Sequence, residues 1–293
     1  MTIIRPAREH DLVQMHQVFY LNEVQGVESP PPPGDVSSEL RHILQTGTLY
    51  VAEQDGQILA YAGAITRGPI TYLTDLFVHP MTQSAGLGKT LLQHVLPQDE
   101  LIHCTMSSTD PRAQALYIRS GMQPEFPHFN LRWHSSSREE LSISHVEVVE
   151  GDATDPALIQ WDAQIGGRER PMDHALWVRE QQAVPLWFLR RGVTVGYGYV
   201  RLGAGSLWYP ETCTVGPIGV NSPDVATDCV LAAVNWACKR ARVIRIDVPG
   251  PHLCLAPLLD RGFHIVYVEL FLSTAPTPFF DAHCYIPSGS DLL

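Results

Sequence analysis

The sequence predicts an α/β (α+β) protein made of two tandem domains. Two observations predict this fold: the same order of helices and strands occurs twice along 293 residues, and each copy contains a hairpin with a two-residue turn, at Asp55-Gly56 and at Arg191-Gly192. A polar stretch without periodicity, 135–142, separates the copies. We therefore predict domains at 1–138 and 142–293, each of an ordinary domain size.

The first copy has the predicted order β-α-α-β-β-β-α-β-α-β. Apolar residues recur at helical spacing in its helices, and β-rich runs bounded by turn residues mark its strands. Four consecutive prolines interrupt its first two helices, since proline removes a backbone donor and holds an extended conformation. The predicted elements are a strand at 2–5, helices at 7–24 and 36–46, a hairpin at 48–67, a strand at 71–80, a helix from the glycine run to 97, a strand at 101–108, a helix at 111–121 and a strand at 126–134.

The second copy repeats this order without obvious sequence identity to the first. Its predicted elements are a strand at 145–151, helical segments within 156–183, a hairpin at 185–203, a strand at 207–220, a helix at 224–242, a strand at 243–250, a helix at 252–262 and a strand at 263–273. The repetition predicts that one whole domain is duplicated.

The amino-acid composition limits which binding partners and which cellular location we expect for the protein. A net charge of −11 without a basic patch argues against nucleic acid and anionic membranes as partners, whereas an acidic surface tolerates a cationic substrate. No apolar run reaches the length of a membrane span, and 1–12 lacks the apolar core of a signal peptide, so we expect a cytoplasmic protein. The six scattered cysteines predict buried thiols, and the thirteen histidines show no metal-ligand spacing.

A glycine-rich loop before the helix that follows the strand at 71–80 is the strongest functional signal. A nucleoside-triphosphate loop would need glycine at Gln83, and a dinucleotide loop would need glycine at Leu91. Neither pattern is met. A helix that starts at Gly86 and Gly88 nevertheless directs backbone N–H groups and the positive end of its dipole at an anion. The loop therefore predicts a phosphate-binding site of another kind.

Two motifs resemble those of the GNAT acetyltransferase superfamily. Gln83-Ser84-Ala85-Gly86-Leu87-Gly88 fits the family's pattern [QR]-x-x-G-x-[GA]. Farther along, the segment 110–122 resembles the family's second motif, N-x-x-A-x-x-x-Y-x-x-x-G-[FM], through Ala113, Tyr117 and Gly121. Asp110 replaces the usual asparagine, which puts that contact with the cofactor in doubt. The resemblance covers residues 1 to about 134.

The resemblance implies two GNAT-like domains, each with a mixed, mostly antiparallel central sheet flanked by helices, and acetyl-CoA (CoA) as cofactor. It implies that the glycine loop holds the pyrophosphate and that the strand before it binds the pantetheine arm. The cofactor-binding residues implied are Leu76, Phe77, Val78, Gln83, Ser84, Ala85, Gly86, Leu87, Gly88, Lys89, Thr90, Asp110, Ala113 and Tyr117.

Acetyl transfer to an amine needs a neutral amine and a proton for the departing thiolate. Tyr117 occupies the position of the family's general acid, and a tyrosine with an ordinary pKa of about 10 can protonate a thiolate of pKa about 8.5. Asp75, just before the pantetheine segment, is the candidate base, with a water relay as the alternative. Glu23 and Glu28 flank the proline run and are candidates for binding a substrate ammonium.

The second copy lacks these features. Its helix starts at Ser222 and Pro223 without a glycine loop, and Leu258 stands where Tyr117 has its counterpart. We therefore expect an acetyl-CoA-dependent N-acetyltransferase in which the N-terminal half is catalytic, acting on the primary amine of a small molecule or peptide by direct attack in a ternary complex. An acetyl-CoA sensor and a P-loop nucleotide-binding protein are the alternatives, and a monomer and a homodimer both remain open.

Overall fold

The structure is a computed structural model that describes residues 1–83, 86–96, 100–134 and 145–293. The predicted domain boundary, within 135–142, lies outside the described residues. By its internal contacts the chain divides into two compact units, Met1–Thr105 and Met106–Asp291, with Leu292 grouped with the first and Leu293 with the second. Each unit is described by itself.

The first unit contains a sheet of five strands with helices beside it. Its elements are β1 (Ile3–Pro6), α1 (Leu12–Glu23), α2 (Ser38–Thr46), β2 (Thr48–Gln54), β3 (Gln57–Arg67), β4 (Ile70–Val78), α3 (Leu87–Val95) and β5 (Ile102–Ser107), the last of which runs two residues past Thr105. The strand order is β1-β2-β3-β4-β5, and every pair is antiparallel except β4–β5. The sheet is therefore mixed and mostly antiparallel.

The helices of the first unit bury one apolar face each, as their sequence periodicity predicts. Leu12, Met15 and Val18 of α1 are buried, and so are Leu91 and Leu92 of α3. The β2–β3 hairpin turns through Asp55 and Gly56, both with positive φ, which confirms the predicted two-residue turn.

The second unit carries a larger mixed sheet. Its elements are α4 (Pro111–Arg119), β6 (Gln123–His134), β7 (Glu147–Glu150), α5 (Pro156–Gly166), α6 (Pro171–Glu180), β8 (Ala183–Arg190), β9 (Val193–Arg201), β10 (Thr212–Val220), α7 (Pro223–Cys238), β11 (Val243–Pro249), α8 (Leu255–Asp260), β12 (His264–Ser273) and β13 (Tyr285–Ile286). The strand order is β12-β6-β11-β10-β9-β8-β7, and β13 pairs with β10. Only the β10–β11 pair is parallel.

The centre of the second unit is helix α7, which is apolar on nearly all sides. Val225, Ala226, Cys229, Val230 and Val234 are all buried in one hydrophobic cluster with the strands beneath them. A helix that is apolar all round is stable in water only when it is covered on several sides. All six cysteines are buried free thiols, as the sequence analysis expected.

The order of helices and strands agrees with both predicted copies. Differences lie at the ends of elements: α1 starts at Leu12 rather than near Ala7, and β10 begins at Thr212 rather than near Leu207. The sequence analysis missed β13, because two residues carry no periodicity. It also gave no partners for β6, which pairs with β12 on one side and β11 on the other.

Candidate functional site

Strand β4 leaves its parallel neighbour halfway along its length. Its ladder with β5 runs from Ile70↔Ile102 to Leu73↔Thr105, and from there β4 continues to Val78 beside β3 alone. Ile70–Leu73 are buried, whereas 74–78 are half-buried. Within the described part of the chain, no strand pairs with the far edge of this second half. The divergence leaves a strand edge that an extended ligand could line.

Backbone alternation tells which N–H groups face this edge. The N–H of His79 donates to the carbonyl oxygen of Leu59 in β3 at 2.7 Å. Backbone groups of successive strand residues point to opposite sides, so the N–H of Phe77 also faces β3. The N–H groups of Leu76 and Val78 therefore face the open edge. Such a pair of donors can bind the carbonyl oxygens of an amide-containing chain.

Asn22 at the end of α1 connects this strand edge to the glycine loop. Its Nδ2 donates to the carbonyl oxygens of Val18 at 2.8 Å and of Val78 at 3.1 Å, and its Oδ1 accepts from Nε2 of Gln83 at 3.1 Å. The first position of the glycine motif is thereby held against the end of β4. Sequence reasoning missed Asn22, because a lone asparagine on a helix matches no motif.

The glycine loop ends in a helix start without a side-chain cap. Gly86 is the residue before α3, with φ of +83°, a conformation that favours glycine. The carbonyl oxygen of Gly86 accepts from the N–H of Thr90 at 3.2 Å. Because this is the first bond of the helix, the N–H groups of Leu87, Gly88 and Lys89 have no acceptor within it.

The space and charge at this helix start suit an anion. A Cβ added to the exposed Gly86 would meet no atom within 4 Å, so the space beside this residue is open. The first turn of α3 has no acidic residue, and Lys89 is exposed. Both features favour a phosphate. The predicted residues Ser84 and Ala85 lie outside the described residues.

The candidate base and the two candidate ammonium-binding residues lie in or beside α1 and β4. Asp75 is half-buried opposite Gly63 in β3. By strand alternation its side chain shares a face of the sheet with Phe77, whose ring contacts Phe19 of α1 at 5.3 Å between centroids. Glu23 is the exposed last residue of α1.

The proline segment that follows Glu28 is fastened to α1 through its carbonyl oxygens. Tyr20 Oη donates to the oxygen of Pro31 at 2.9 Å, and Nε2 of His16 lies 2.6 Å from the oxygen of Pro33. Glu28 itself is exposed. The segment is thus a fixed wall beside α1, and α1 is the helix that also holds the glycine loop.

The second motif forms helix α4 in the second unit. Asp110 caps it by accepting from the N–H of Arg112 at 2.8 Å and forms an ion pair with that side chain at 2.7 Å. The Arg112 guanidinium lowers the pKa of Asp110, against the opposing effect of partial burial. This carboxylate is therefore already engaged in capping. Ala113 is half-buried, and the Tyr117 side chain is only 6% exposed.

In the second unit, β10 diverges from β11 as β4 diverges from β5, but here strand β13 pairs with β10 beyond the point of divergence. The β10–β11 ladder ends at Val215↔Ile246, and β10 then pairs with β13 through Ile218↔Ile286 and Gly219↔Tyr285. The following helix, α7, has a side-chain cap: Ser222 Oγ accepts from the N–H of Asp224 at 3.3 Å. The strand edge and helix start that lie open in the first unit are thus both engaged here.

The described residues were also compared with the requirements of a metal site and of a membrane-spanning helix. Among the described residues, no group of three or more His, Cys, Asp or Glu side chains could hold a metal ion. In the same part of the chain, every helix is too short or too polar to cross a membrane.

One family model matches the part of the chain that contains the glycine loop. Residues 45–123 match the family model described as an acetyltransferase (GNAT) domain. No curated protein matches the chain in sequence.

Solved structures share the fold over nearly the whole chain. A candidate acetyltransferase from Pyrococcus horikoshii is 17% identical, with a TM-score of 0.76 over 99% of this chain and 95% of its own. A tandem GNAT protein from the clavulanic acid biosynthesis pathway is 15% identical, with a TM-score of 0.64 over 94% and 100%. A GCN5-related N-acetyltransferase from Sphaerobacter thermophilus is 16% identical, with a TM-score of 0.61 over 96% of each chain.

Proposed function

Because this chain carries a GNAT acetyltransferase domain within residues 45–123, we propose that it is an acetyl-CoA-dependent N-acetyltransferase. Its acceptor is the primary amine of a small molecule or peptide, which attacks directly in a ternary complex. One observation carries the proposal: in the first unit, the divergence of β4 from β5 opens beside an uncapped helix start at Gly86.

Each part of the cofactor has matching groups in the first unit. The N–H groups of Leu87, Gly88 and Lys89 bind the diphosphate at the start of α3. The N–H groups of Leu76 and Val78 bind the amide carbonyls of the pantetheine arm along the edge of β4. Acetyl-CoA supplies the reactive acetyl thioester.

The chain's side chains move the two protons that the transfer requires. An alkylamine with a pKa of about 10.4 is almost fully protonated at neutral pH, so a base has to take its proton. We assign this role to Asp75, directly or through water, since it precedes Leu76 on β4. Tyr117 donates a proton to the departing sulfur, because a tyrosine hydroxyl still carries its proton at neutral pH.

The charge of the protein supports an amine acceptor. A net charge of −11 attracts cations at low ionic strength. Glu23 is exposed at the end of α1 and Glu28 is exposed in the loop that follows, so both can receive an ammonium group. Which amine is accepted depends on the wall formed by the proline segment at 30–33.

The two alternatives have less support. A P-loop protein needs glycine at Gln83, and here the side chain of Gln83 is bonded to Asn22. An acetyl-CoA sensor would use the same cofactor contacts but would need neither Asp75 nor Tyr117 for chemistry.

The test is release of free CoA from acetyl-CoA across a panel of polyamines, amino acids, aminoglycosides and peptides. The proposal expects amine-dependent CoA release with at least one class, together with formation of the acetylated amine. CoA binding without turnover on any amine would favour the sensor, and ATP binding without CoA binding would favour the P-loop protein.

A further inference from the structure

A cavity of ≈ 290 Å³ lies between α5 and α6 in the second unit. None of its lining residues belongs to the acetyl-CoA site proposed above. Small-molecule sites occupy about 300 to 1,000 Å³, so this cavity suits only a small ligand.

Two of the lining residues, His174 and Tyr199, belong to a hydrogen-bonded chain of three side chains that ends at Asp162. Tyr199 lines the cavity and is 1% exposed, and its Oη lies 2.9 Å from Nδ1 of His174. Nε2 of His174 lies 3.1 Å from Oδ2 of Asp162. Asp162 also forms a buried ion pair with Arg170 at 2.6 Å.

The Asp162 carboxylate at one end of this hydrogen-bonded chain is ionised. Burial alone would raise the pKa of Asp162, but the ion pair with Arg170 outweighs it and holds that pKa well below its usual range. The ionised carboxylate can accept from Nε2–H of His174, and Nδ1 of the same ring lies against the hydroxyl of Tyr199. Whichever of these two atoms donates, the Tyr199 oxygen keeps a lone pair that can accept from a ligand.

The mouth of the cavity carries one group of each charge. Asp155 caps α5 by accepting from the N–H of Ala157 at 2.9 Å. Burial raises the pKa of the Tyr199 hydroxyl most, Asp162 raises it further, and Asp155 makes the smallest contribution in the same direction. Arg179 is exposed on α6 and makes no ion pair with any residue that the structure describes. A ligand that satisfies both needs a cationic and an anionic end.

The remaining wall is apolar. It is formed by Leu158 and Ile159 of α5 and by Val178 of α6. These side chains favour a branched aliphatic group over a polar one.

We propose that this cavity binds a free α-amino acid with an aliphatic side chain. Its ammonium group donates to Asp155 and to the oxygen of Tyr199, its carboxylate pairs with Arg179, and its side chain packs against Leu158, Ile159 and Val178. CoA and nucleotides are too large for the volume. A simple amine leaves Arg179 unused, and a simple carboxylate lies against Asp155.

The experiment is calorimetric titration of the full chain, saturated with CoA, with three probes. L-Leucine carries both charged groups, 3-methylbutylamine lacks the carboxylate, and 4-methylpentanoate lacks the ammonium group. We expect L-leucine to bind about tenfold or more tightly than either analogue, since each loses a charged hydrogen bond. No binding of L-leucine at millimolar concentration, or equal binding of the amine, overturns the proposal.

Variants locate the binding. Arg179→Gln should reduce the affinity for L-leucine to that for 3-methylbutylamine and leave the amine unaffected, while Arg191→Gln, at the tip of the β8–β9 hairpin, leaves both unchanged. Tyr199→Phe should weaken binding of L-leucine about tenfold. If Tyr199→Phe fails to fold, the titration of Arg179→Gln still tests the proposal, because Arg179 is exposed and its substitution should not disturb the fold. Binding of L-leucine that survives Arg179→Gln contradicts the assignment.

Discussion

A buried row of ionisable side chains on three adjacent strands gives the second unit an unusual response to pH. Glu269 of β12 lies beside His128 of β6, and Asp247 of β11 lies beside Asn130 of β6. Burial, together with Asp247, raises the pKa of Glu269 to about 8. Burial also lowers the pKa of His128 to about 4. Both side chains are therefore neutral in the folded protein at pH 7.

The two shifts act on stability in different pH windows. The folded protein keeps a proton on Glu269 that the unfolded chain releases above its ordinary pKa of 4.5, so stability falls as the pH rises toward 8. His128 has the opposite effect. In the unfolded chain its imidazole is protonated below pH 6.5, whereas in the folded protein it stays neutral down to about pH 4. The stability of the fold therefore decreases as the pH falls from 6.5 to about 4.

Glu269→Gln should therefore flatten the pH dependence of the unfolding free energy between about pH 7 and 8, where His128 is mostly neutral in both states. The wild-type protein loses at most about 1.4 kcal/mol of unfolding free energy per pH unit through Glu269 in this window. Urea unfolding at several pH values measures the slope, and the exposed Glu147→Gln is the control. A wild-type slope in Glu269→Gln would show that Glu269 does not carry the effect.

Tyr117→Phe tests the proposed acid directly. The variant should retain CoA binding and lower kcat by about 10² to 10⁴, the usual contribution of a general acid. Tyr50→Phe, which removes a hydroxyl from β2, is the matched control. Steady-state kinetics separates the outcomes, since a rise in KM at unchanged kcat would remove Tyr117 from the acid role.

At the scale of elements, helix α1 supports the glycine loop that precedes α3. Its Asn22 bonds to the end of β4 and to Gln83, while its Gln14, near the other end, accepts from the N–H of Ile58 at 3.0 Å in β3. Both side chains fasten the helix to the sheet. Only Asn22 reaches the loop.

Asn22→Ala should therefore weaken CoA binding about tenfold, because the loop loses the hydrogen bond from Gln83 to Asn22 and must order when the cofactor binds. Gln14→Ala should lower the melting temperature and leave the Kd for CoA near the wild-type value. Isothermal titration with CoA measures both. Equal effects of the two substitutions on Kd would mean that Asn22 acts only through the stability of the helix.

Helices, strands and turns could be predicted from the sequence where the residues that determine them are close together in the chain. The hairpin at Asp55-Gly56, the helix start at Gly86 and the apolar stripe of α3 each follow from neighbouring residues. Partners distant in sequence were not predictable. Asn22 acts on Gln83 across 61 residues, and β13 consists of two residues whose role depends on the gap beside β10. Neither has a pattern, since their environment exists only after the chain folds.

At the scale of the whole molecule, one arrangement of strands occurs twice and is used differently. In the first unit β4 leaves β5 after Leu73, and the exposed edge lies open next to Gly86. In the second unit β10 leaves β11 after Val215, and β13 pairs with the exposed edge. A helix start with Pro223 and Asp224 in place of a glycine loop adds a carboxylate where a phosphate would lie. We therefore expect the diphosphate of the proposed cofactor to bind at Gly86 and not at the start of α7.

Counting CoA molecules per chain tests this account most directly. Isothermal titration of the intact protein should give one CoA per chain. Gly86→Glu should abolish binding, because glutamate resists φ of +83° and adds a negative charge in front of α3. Asp224→Asn, at the start of α7, should leave the single site unchanged. Two CoA molecules per chain, or one that survives Gly86→Glu, would contradict the account.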